Sequence, residues 1–491
     1  MFLALLMAAL LPQVSQRSAR AQTVPPSTEF LVNSTEDKVD TDFSDDICDA
    51  DPGPAVQCTL RAAIIQANLT PGQQVIRLQA QVYRLTIPGA NEDQSFTGDL
   101  DVRDAVQIIG TTSGRARSTI DATGLGDRVF DGLLFSSSSQ WLLQQLTITG
   151  GQLPGTTGPG TEFDGGGIRN FSNLTINDSV LRNNTAARGG GIAHHGQQSL
   201  TIERSTISDN RAIAGDTSSL ADGGGGILQA NGRLTLRDST VQNNISASQG
   251  GGLSLLPFAQ SSGSNPVRIE RSLVVGNSAQ GNGGGISVEG KNGGSVVIEN
   301  STVSTNFATT QGGGIDVRNL QLPVVLRATT IASNRSQRGG GVMSDDKTTG
   351  ATMEATHSIF ANNVGGNCDF EQKFRDSSFN LSSDSLCSFG GSNNRENVGA
   401  KLGPLQFNGG PTQTHALLPG SPAIDAGRAT GCPATDQRGV ARPQNGTCDI
   451  GAYEFDGSLP TPTPSPTPRP KPTPTPIISD PFPPRPTAPT E

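Results

Sequence analysis

Seven copies of one two-part unit constrain the fold of this chain more than any other sequence feature. A glycine triplet is followed by an aliphatic residue at seven positions, spaced 24 to 35 residues apart: Ile168, Ile192, Ile227, Leu253, Ile286, Ile315 and Val342. After each comes an eleven-residue phrase with aliphatic residues mainly at positions one, three and eight, Ser or Thr at six and Asn at eleven: LTINDSVLRNN, LTIERSTISDN, LTLRDSTVQNN, VRIERSLVVGN, VVIENSTVSTN, VVLRATTIASN and MEATHSIFANN.

The alternation within each phrase predicts short β-strands, and its recurrence predicts a parallel β-helix. A period of two, broken by glycine and asparagine turns, is typical of strands and not of helices. One such unit cannot bury its inner face alone, so successive coils stack about 4.8 Å apart. Connections between parallel strands are nearly always right-handed for steric reasons, so a right-handed β-helix is expected. We therefore predict an all-β, right-handed parallel β-helix of roughly ten to twelve coils with a short N-terminal capping helix.

Stacking places like residues over like, so the last residue of each phrase predicts an asparagine ladder. The side-chain amides should bond along the stack at one corner. Its members are Asn184, Asn210, Asn244, Asn277, Asn306, Asn334 and Asn363. The glycine triplets predict another corner, where tight turns or positive φ leave no room for a Cβ.

Composition agrees with a thin, elongated core. Glycine accounts for 61 of 491 residues, while the hydrophobic fraction is 33% and the aromatic fraction 4%. The net charge of −9 means that the protein as a whole repels other anions. Neither nucleic acid nor anionic lipid is therefore an expected partner.

Composition shifts also divide the chain into five parts. Residues 1–21 predict a secretory signal peptide, because an apolar run precedes the small-x-small sequence at 19–21. Residues 22–98 should cap the first coil through a helix that Thr59 begins. Residues 99–400 hold the coils, and 401–456 a C-terminal cap. The Pro/Thr-rich residues 457–491 predict a polyproline II stalk. No later segment is apolar enough for a membrane span.

Six cysteines form three close pairs along the sequence, which suits local disulfides in an oxidising compartment. Six cysteines allow fifteen sets of disulfide pairings. The sequence contains no C-x-x-C motif, so a zinc site is not expected. The residues are Cys48, Cys58, Cys368, Cys387, Cys432 and Cys448.

An acidic loop, DTDFSDDICDAD, is the one candidate metal site in the sequence. Carboxylates two and three residues apart can wrap Ca²⁺, but the glycine and terminal Glu of an EF-hand are missing. The alternative, which the sequence favours, is a solvated acidic loop closed by Cys48 and Cys58. The candidate ligands are Asp40, Asp42, Asp45, Asp46, Asp49 and Asp51. No other cofactor is expected.

No set of residues predicts catalysis. The outward row after the glycine triplets, from Arg169 to Met343, has no adjacent carboxylate pair. Position five of the phrases alternates Asp178, Arg204, Asp238, Arg271, which predicts a structural charge ladder instead. His194 and His195 should point to opposite faces of one strand, so they cannot readily share a metal.

Three segments resemble known families. The stretch FLVNSTEDKVDTDFSDDICDADPGPAVQCTLRAAIIQAN resembles the bacterial CSLREA domain, with CTLRAA standing at 58–63. The run FNGGPTQTHALLPGSPAIDAG, followed by CPATDQRGVARPQNGTCDIGAYEF, looks like the choice-of-anchor Q domain. The coils between them look like the pectin-lyase-like superfamily, and the GGGI units are similar to repeats of polymorphic outer-membrane adhesins.

The resemblance implies an exported bacterial protein displayed at the cell surface or released from it. An adhesin-like or structural binding role towards an extracellular polysaccharide or a cell-envelope component is the main hypothesis. The alternatives are a polysaccharide lyase or glycoside hydrolase, which the superfamily allows, and an inert structural spacer.

Overall fold

A computed structural model describes residues 28–458, except for 52, 54–55, 91, 115, 134–139, 154–159, 215–222, 257–266, 291–294, 319–322, 345–352, 371–373 and 375. In this part the chain winds into a right-handed parallel β-helix with one α-helix, as the repeats predict. The expected signal peptide, 1–21, and nearly all of the expected stalk, 457–491, lie outside the described residues. No helix among them is long and apolar enough to cross a membrane.

Three long sheets form the walls of the solenoid, and each coil away from the two ends contributes one strand to each wall. Sheet A contains β1 (Glu29–Leu31), β2 (Gln74–Arg77), β5 (Val106–Ile109), β9 (Gln140–Gln144), β12 (Asn173–Asn177), β16 (Ser199–Glu203), β20 (Arg233–Arg237), β24 (Val267–Glu270), β28 (Val296–Glu299), β32 (Val324–Arg327), β35 (Met353–Thr356) and β38 (Asp376–Ser378). Sheet B contains β3 (Val82–Arg84), β7 (Ala116–Asp121), β10 (Leu146–Thr149), β13 (Val180–Arg182), β17 (Thr206–Ser208), β21 (Thr240–Gln242), β25 (Leu273–Val275), β29 (Thr302–Ser304), β33 (Thr330–Ala332), β36 (Ile359–Ala361) and β39 (Leu381–Ser382), with β6 (Thr112–Ser113) paired to β7.

The third wall and two small sheets complete the strands. Sheet C contains β4 (Leu100–Val102), β8 (Phe130–Gly132), β11 (Ile168–Asn170), β15 (Ile192–His194), β19 (Ile227–Gln229), β23 (Leu253–Leu255), β27 (Ile286–Glu289), β31 (Ile315–Arg318), β34 (Val342–Ser344) and β37 (Cys368–Phe370). Sheet D contains β14 (Thr185–Ala186), β18 (Arg211–Ala212), β22 (Ile245–Ser246), β26 (Ser278–Ala279) and β30 (Phe307–Ala308). An antiparallel hairpin, β40 (Leu402–Gln406) and β41 (Thr414–Leu417), lies near the C-terminus.

The aliphatic positions of the phrases stack in register to fill the interior. Leu200 pairs with Leu174 on one side and Leu234 on the other, and all three are at most 1% exposed. The residue at position five turns the chain from sheet A to sheet B with a left-handed backbone, φ between 46° and 52° in all seven phrases. Because any L residue with a Cβ is strained there, the recurrence of this φ marks a fixed corner of each coil.

The phrase-final asparagines form a continuous chain of hydrogen bonds between sheets B and D. The Asn210 Nδ2 donates to Asn244 Oδ1 at 3.0 Å and to the Leu181 carbonyl at 3.0 Å. The same pattern runs from Asn184 to Asn363, whose Nδ2 donates to Asn367 Oδ1 at 2.9 Å. Each coil is thereby tied to the next through buried polar groups that have partners.

The glycine triplets make the turn from sheet D into sheet C, with the positive φ that the sequence predicts, and they pack against the asparagine ladder. Gly189 has φ of 59°, and a Cβ on Gly190 would lie 2.5 Å from the backbone of Arg211 in sheet D. A Cβ on Gly191 would lie 3.0 Å from the Asn210 Nδ2. The short sheet D strands double back over the triplets, so each of the three glycines is required for a different steric reason.

Helix α1 (Leu60–Leu69) closes the N-terminal end. Thr59 caps it by accepting a hydrogen bond from the Ala62 backbone, as its position predicts. The sequence suggested one apolar face, but the helix is buried on all sides from Leu60 to Ala67, including Arg61 and Gln66. The segment before the helix covers its outer side, with the disulfide Cys48–Cys58 joining that segment to the helix start.

The C-terminal end is closed by the segment before residue 400. Phe360, Phe374 and Phe389 pack there with ring centroids 5.3 to 5.9 Å apart, beside the disulfide Cys368–Cys387. Residues 401–456, expected as an end cap, lie instead along the outer face of sheet B and are named here the C-terminal segment. Cys432 and Cys448 form its disulfide.

Side chains of the C-terminal segment bond directly to sheet B over several coils. The Thr302 hydroxyl donates to Gln437 Oε1 at 2.6 Å, and the Ser304 hydroxyl lies 3.0 Å from His415 Nε2. The Ala452 backbone donates to the Thr330 hydroxyl at 3.0 Å. The segment therefore covers sheet B from about β25 to β36.

Candidate functional site

Sheet A is the wall whose outer side stays open along its length in the described part of the chain. The outward residues of sheet C, such as Ala193, Leu228 and Ser287, are at most 3% exposed. Sheet B is covered from β25 onward by the C-terminal segment. On sheet A the central outward residues are half-buried or exposed: Thr175, Thr201, Thr235, Arg268, Val297, Val325 and Glu354.

Charged side chains at the edge of sheet A pair between neighbouring coils. The Arg204 Nε donates to Asp178 Oδ1 at 3.0 Å, and Arg271 lies 2.7 Å from Asp238. Arg237 bridges Glu203 and Glu270 at 3.2 Å each. These half-exposed pairs are worth about 0.2–1 kcal/mol each. The carboxylates Glu203 and Glu270 are thus held apart by a guanidinium and do not form an acid–base pair.

A cavity of about 590 Å³ opens at the C-terminal end of this row. Sheet A and the turns after it contribute Arg327, Thr356, His357, Ser378 and Phe379, and the C-terminal segment contributes Arg428, Thr430 and Gly431. Two guanidiniums, three hydroxyls and one imidazole therefore converge where the solenoid meets the C-terminal segment. No carboxylate lines the cavity in the described residues, so its lining is positively charged.

His357 is held in this cavity by contacts to one ring nitrogen and to the ring face. Its Nε2 accepts a hydrogen bond from the Arg428 backbone at 3.0 Å, and its ring stacks on Phe379 at 5.4 Å. Burial and the nearby Arg442, Arg428 and Arg327 lower the pKa of His357 to about 4. The neutral ring therefore carries its proton on Nδ1. That atom is buried and has no hydrogen-bond partner among the described residues.

Arg327 and Arg428 keep part of their donor capacity for a ligand. Arg327 Nη1 donates to Glu299 at 2.9 Å, and Arg428 Nε donates to the Thr430 carbonyl at 3.0 Å. A guanidinium has five N–H donors in a planar fork that matches carboxylate geometry. The cavity is therefore suited to an anionic group flanked by hydroxyls.

The six aspartates of the acidic loop do not converge. Asp42 bonds to Ser44, Asp45 to the Ile47 backbone and Asp49 to the Asp51 and Gln57 backbones. Asp40 is buried, and burial raises its pKa, whereas Asp46 and Asp51 are exposed. Their carboxylates serve local turns instead of a shared point. Among the described residues, one different group of three carboxylates has metal-like spacing: Asp93, Asp101 and Asp131.

The adjacent histidines face opposite sides of β15, as the strand geometry requires. His194 is buried, with Nδ1 2.8 Å from Asn170 Nδ2 and Nε2 3.2 Å from the Gln198 carbonyl. Burial lowers the pKa of His194 to about 4. His195 lies 3.0 Å from Asp164 and stacks on Phe171. Both rings have structural partners, and among the described residues neither lies in a group of three possible metal ligands.

Two outward carboxylates on sheet C were missed by the sequence analysis. Asp131 pairs in register with Asp101 on one side and Arg169 on the other, so the outward row begins two coils earlier than the glycine triplets indicate. The early coils lack a triplet that marks their register. The alternation Leu100-Asp101-Val102 is the one signal that could have placed Asp101.

A family model and a solved structure are similar to this chain. The family model, described as a right handed beta helix region, matches residues 131–321. The chain contains a right-handed β-helix region. The crystal structure of pectate lyase Pel9A aligns with 88% of this chain and 98% of its own, at 15% identity and a TM-score of 0.47. A search of curated proteins found no match.

Proposed function

We propose that this protein is an exported, non-catalytic binding protein that holds a glycan chain along the outer side of sheet A. The observation that carries the proposal is the positively charged cavity formed by Arg327, His357 and Arg428 at the C-terminal end of sheet A, whose outer side is open along its length in the described residues. One acidic sugar unit, with its carboxylate on the guanidiniums and its hydroxyls on Thr356 and Ser378, fits the chemistry of the lining.

The rest of sheet A suits an extended, mostly neutral polymer. Parallel strands about 4.8 Å apart repeat the same outward positions along the wall. Threonines 175, 201 and 235 offer hydroxyls, and the paired charges at the edge offer both donors and acceptors. A polymer with a regular repeat could therefore make the same contacts at successive coils.

The net charge argues against a dense polyanion. At −9 the protein as a whole repels a chain with a carboxylate on every sugar, whereas the local field of the cavity attracts a single anion. We therefore infer a glycan in which acidic sugars are sparse or terminal.

The cellular setting is inferred from several features together. Three disulfides suit an oxidising compartment outside the cytosol. The resemblance of the N-terminal stretch to CSLREA domains, and of the C-terminal segment to choice-of-anchor Q domains, favours display at or release from a bacterial surface.

Retention on immobilised glycans tests this function. The full-length protein is applied to a glycan with terminal uronic acids, to its carboxyl-reduced form and to polygalacturonate. We expect the first to retain it most strongly and carboxyl reduction to weaken binding about tenfold, the effect of losing a charge-assisted contact. Arg428→Ala should weaken binding to a similar degree, and Arg84→Ala, an exposed arginine on sheet B, should not.

Two results would contradict the proposal. Equal retention of the carboxyl-reduced glycan, together with full binding by Arg428→Ala, would remove the cavity from recognition. Release of unsaturated or newly reducing sugar ends during incubation would show turnover and favour the lyase or hydrolase alternative.

A further inference from the structure

Three carboxylates meet at the N-terminal end of sheet C, far from the cavity described above. Asp101 in β4 and Asp131 in β8 occupy paired outward positions of neighbouring coils. Asp93 approaches them from the loop that precedes β4. One oxygen from each lies within 4.8 Å of the other two. Asp101 and Asp131 are at most 1% exposed, while Asp93 is exposed and gives the group a route to solvent.

Negative charge exceeds positive charge in this group. Six carboxylates lie in the region, those of Glu92, Asp93, Asp99, Asp101, Asp127 and Asp131, and the arginines Arg128 and Arg169 contact some of them. Arg128 lies 3.0 Å from Asp99 and 3.3 Å from Asp131, and Arg169 Nε donates to Asp131 at 3.1 Å. The two guanidiniums can balance Asp99 and Asp131. The carboxylates therefore outnumber the guanidiniums that contact them, and among the described contacts no ion pair joins Asp101 to either arginine.

Asp101 carries a second, independent sign of a missing ligand. Its Oδ2 accepts a hydrogen bond from the Ser95 backbone at 2.6 Å. Its Oδ1 is buried and has no hydrogen-bond partner in the described part of the chain. Buried carboxylate oxygens are nearly always paired, because removing one from water without a partner is costly.

The loop that carries these groups is held rigidly by the capping helix. The Arg61 guanidinium, fully buried, donates to the carbonyls of Ser95 at 3.0 Å, Gly98 at 2.8 Å and Asp99 at 3.2 Å. Asn68 Nδ2 donates to the Asp101 carbonyl at 2.7 Å. The carboxylates are therefore pre-organised by contacts that do not depend on the carboxylates themselves.

We propose that Asp93, Asp101 and Asp131 bind one calcium ion that locks the capping helix and its loop to the first two coils of sheet C. All-oxygen ligands select a hard cation, and calcium accepts six to eight oxygens in irregular arrangements that carbonyls and water can complete. Magnesium requires a nearly ideal octahedron, which an irregular group of three carboxylates does not impose. This site goes beyond the proposed glycan binding and does not depend on it.

Calcium titration of the chelator-treated full-length protein tests the site. Calorimetry should give one ion per chain, and saturating calcium should raise the unfolding temperature by about 3–5 °C, whereas magnesium should have a much smaller effect. Asp93→Asn and Asp101→Asn should each weaken calcium binding at least tenfold. Asp93 lies on an exposed loop, so its variant keeps binding separate from folding. The matched control is Asp42→Asn, in the acidic loop, which should bind like the parent.

Several outcomes would overturn the proposal. They are a parent protein that binds no calcium, calcium binding that survives both Asp93→Asn and Asp101→Asn, loss of binding in Asp42→Asn, and magnesium binding as tight as calcium binding. Calcium-free Asp101→Asn should unfold at the same or a higher temperature than the calcium-free parent, because the amide oxygen can keep the Ser95 hydrogen bond while the cluster loses one carboxyl group. A lower temperature would show that Asp101 stabilises the fold without an ion and would also overturn its role as a ligand.

Discussion

At the scale of single residues, buried polar groups in this protein find hydrogen-bond partners along the stack as well as within their own coil. His194 shows this in sheet C, where it stands between Asn170 and Gln229 of the neighbouring coils. The Asn170 Nδ2 lies 2.8 Å from its Nδ1, and its Nε2 meets the Gln198 carbonyl. These contacts suit a neutral ring, and burial holds its pKa at about 4.

The neutral state of His194 predicts a contribution to acid sensitivity. An unfolded histidine takes up a proton below a pH of about 6.5, whereas folded His194 does so only near pH 4, so protons favour the unfolded chain between these values. On acidification from pH 7 to pH 4, the parent should lose on the order of 3 kcal/mol more unfolding free energy than His194→Gln. Glutamine is the residue that the next coil places in this column. Denaturant midpoints measured at several pH values provide the comparison, and parallel curves would contradict the assignment.

The role of a residue could be predicted from the sequence where the same residue recurs in every repeat, and not elsewhere. The phrase-final asparagines were identifiable because seven copies share them. The cavity residues were not, because His357 and Arg428 are 71 positions apart and meet only after the C-terminal segment folds back. The outward positions of Asp101 and Asp131 could not be predicted, because their coils lack the glycine triplet that marks the strand register.

At the scale of elements, the glycine triplet and the short sheet D strand above it act as one unit. The triplet lies between the asparagine ladder and the backbone of sheet D, with no space for a side chain on either side. The chain can therefore double back tightly after each asparagine and still enter sheet C in register. A larger residue would force the sheet D strand away from the stack.

Alanine substitutions within one triplet should separate this steric requirement from general glycine effects. Gly190→Ala places a Cβ about 2.5 Å from the Arg211 backbone, which cannot move without breaking sheet D. We expect a loss of about 1–3 kcal/mol, read as a lower unfolding temperature. Gly399→Ala is the matched control, because a Cβ there meets nothing within 4 Å, and its effect should stay within about 0.5 kcal/mol. Equal effects at both positions would refute the packing argument.

The type and order of the strands could be predicted, because in a repeat the spacing of the hydrophobic residues is enough to determine them. The helix at 60–69 was also identifiable from Thr59 and the apolar residues after it. Its complete burial was not, since the covering segment before it has no periodic pattern. The short sheet D strands were missed because two residues carry too little alternation to be recognised.

At the scale of the whole molecule, the C-terminal segment buries the partly apolar outer face of sheet B. The outward residues Leu273, Ile359 and Ala361 of sheet B are at most 1% exposed beneath it. The segment contributes its own small core, including Leu417, Ile450 and Tyr453. Within its last third, Arg442 and Glu454 form a fully buried ion pair at 3.1 Å. Without the segment, a strip of sheet B would face water.

Removal of residues 401–491 should therefore cause self-association. The truncated protein loses both Cys432 and Cys448 and so gains no free thiol. We expect dimers or larger species in light scattering and increased binding of a hydrophobic dye, because exposed apolar strips associate. Removal of 459–491 alone is the control and should leave the protein in its original state of association. A truncated protein that stays monomeric and unfolds at the original temperature would contradict this role.

The position of this segment could not be predicted from sequence, although its existence could. Contacts such as Thr302 to Gln437 join residues 135 positions apart and leave no periodic trace. The resemblance of residues 407–455 to the choice-of-anchor Q domain indicated a separate region, and an end cap was the position expected for it.

The fixed span of the C-terminal segment determines where the solenoid can change in length. The segment is matched to the coils from β25 to β36, so a coil inserted or deleted there would shift Thr302, Ser304 and Thr330 out of register with their partners. The coils from β13 to β21 make the same contacts with one another and none of those bonds. Relatives or engineered forms with more or fewer repeats should therefore differ in that stretch, and the distance from the capping helix to the cavity should vary in steps of one coil.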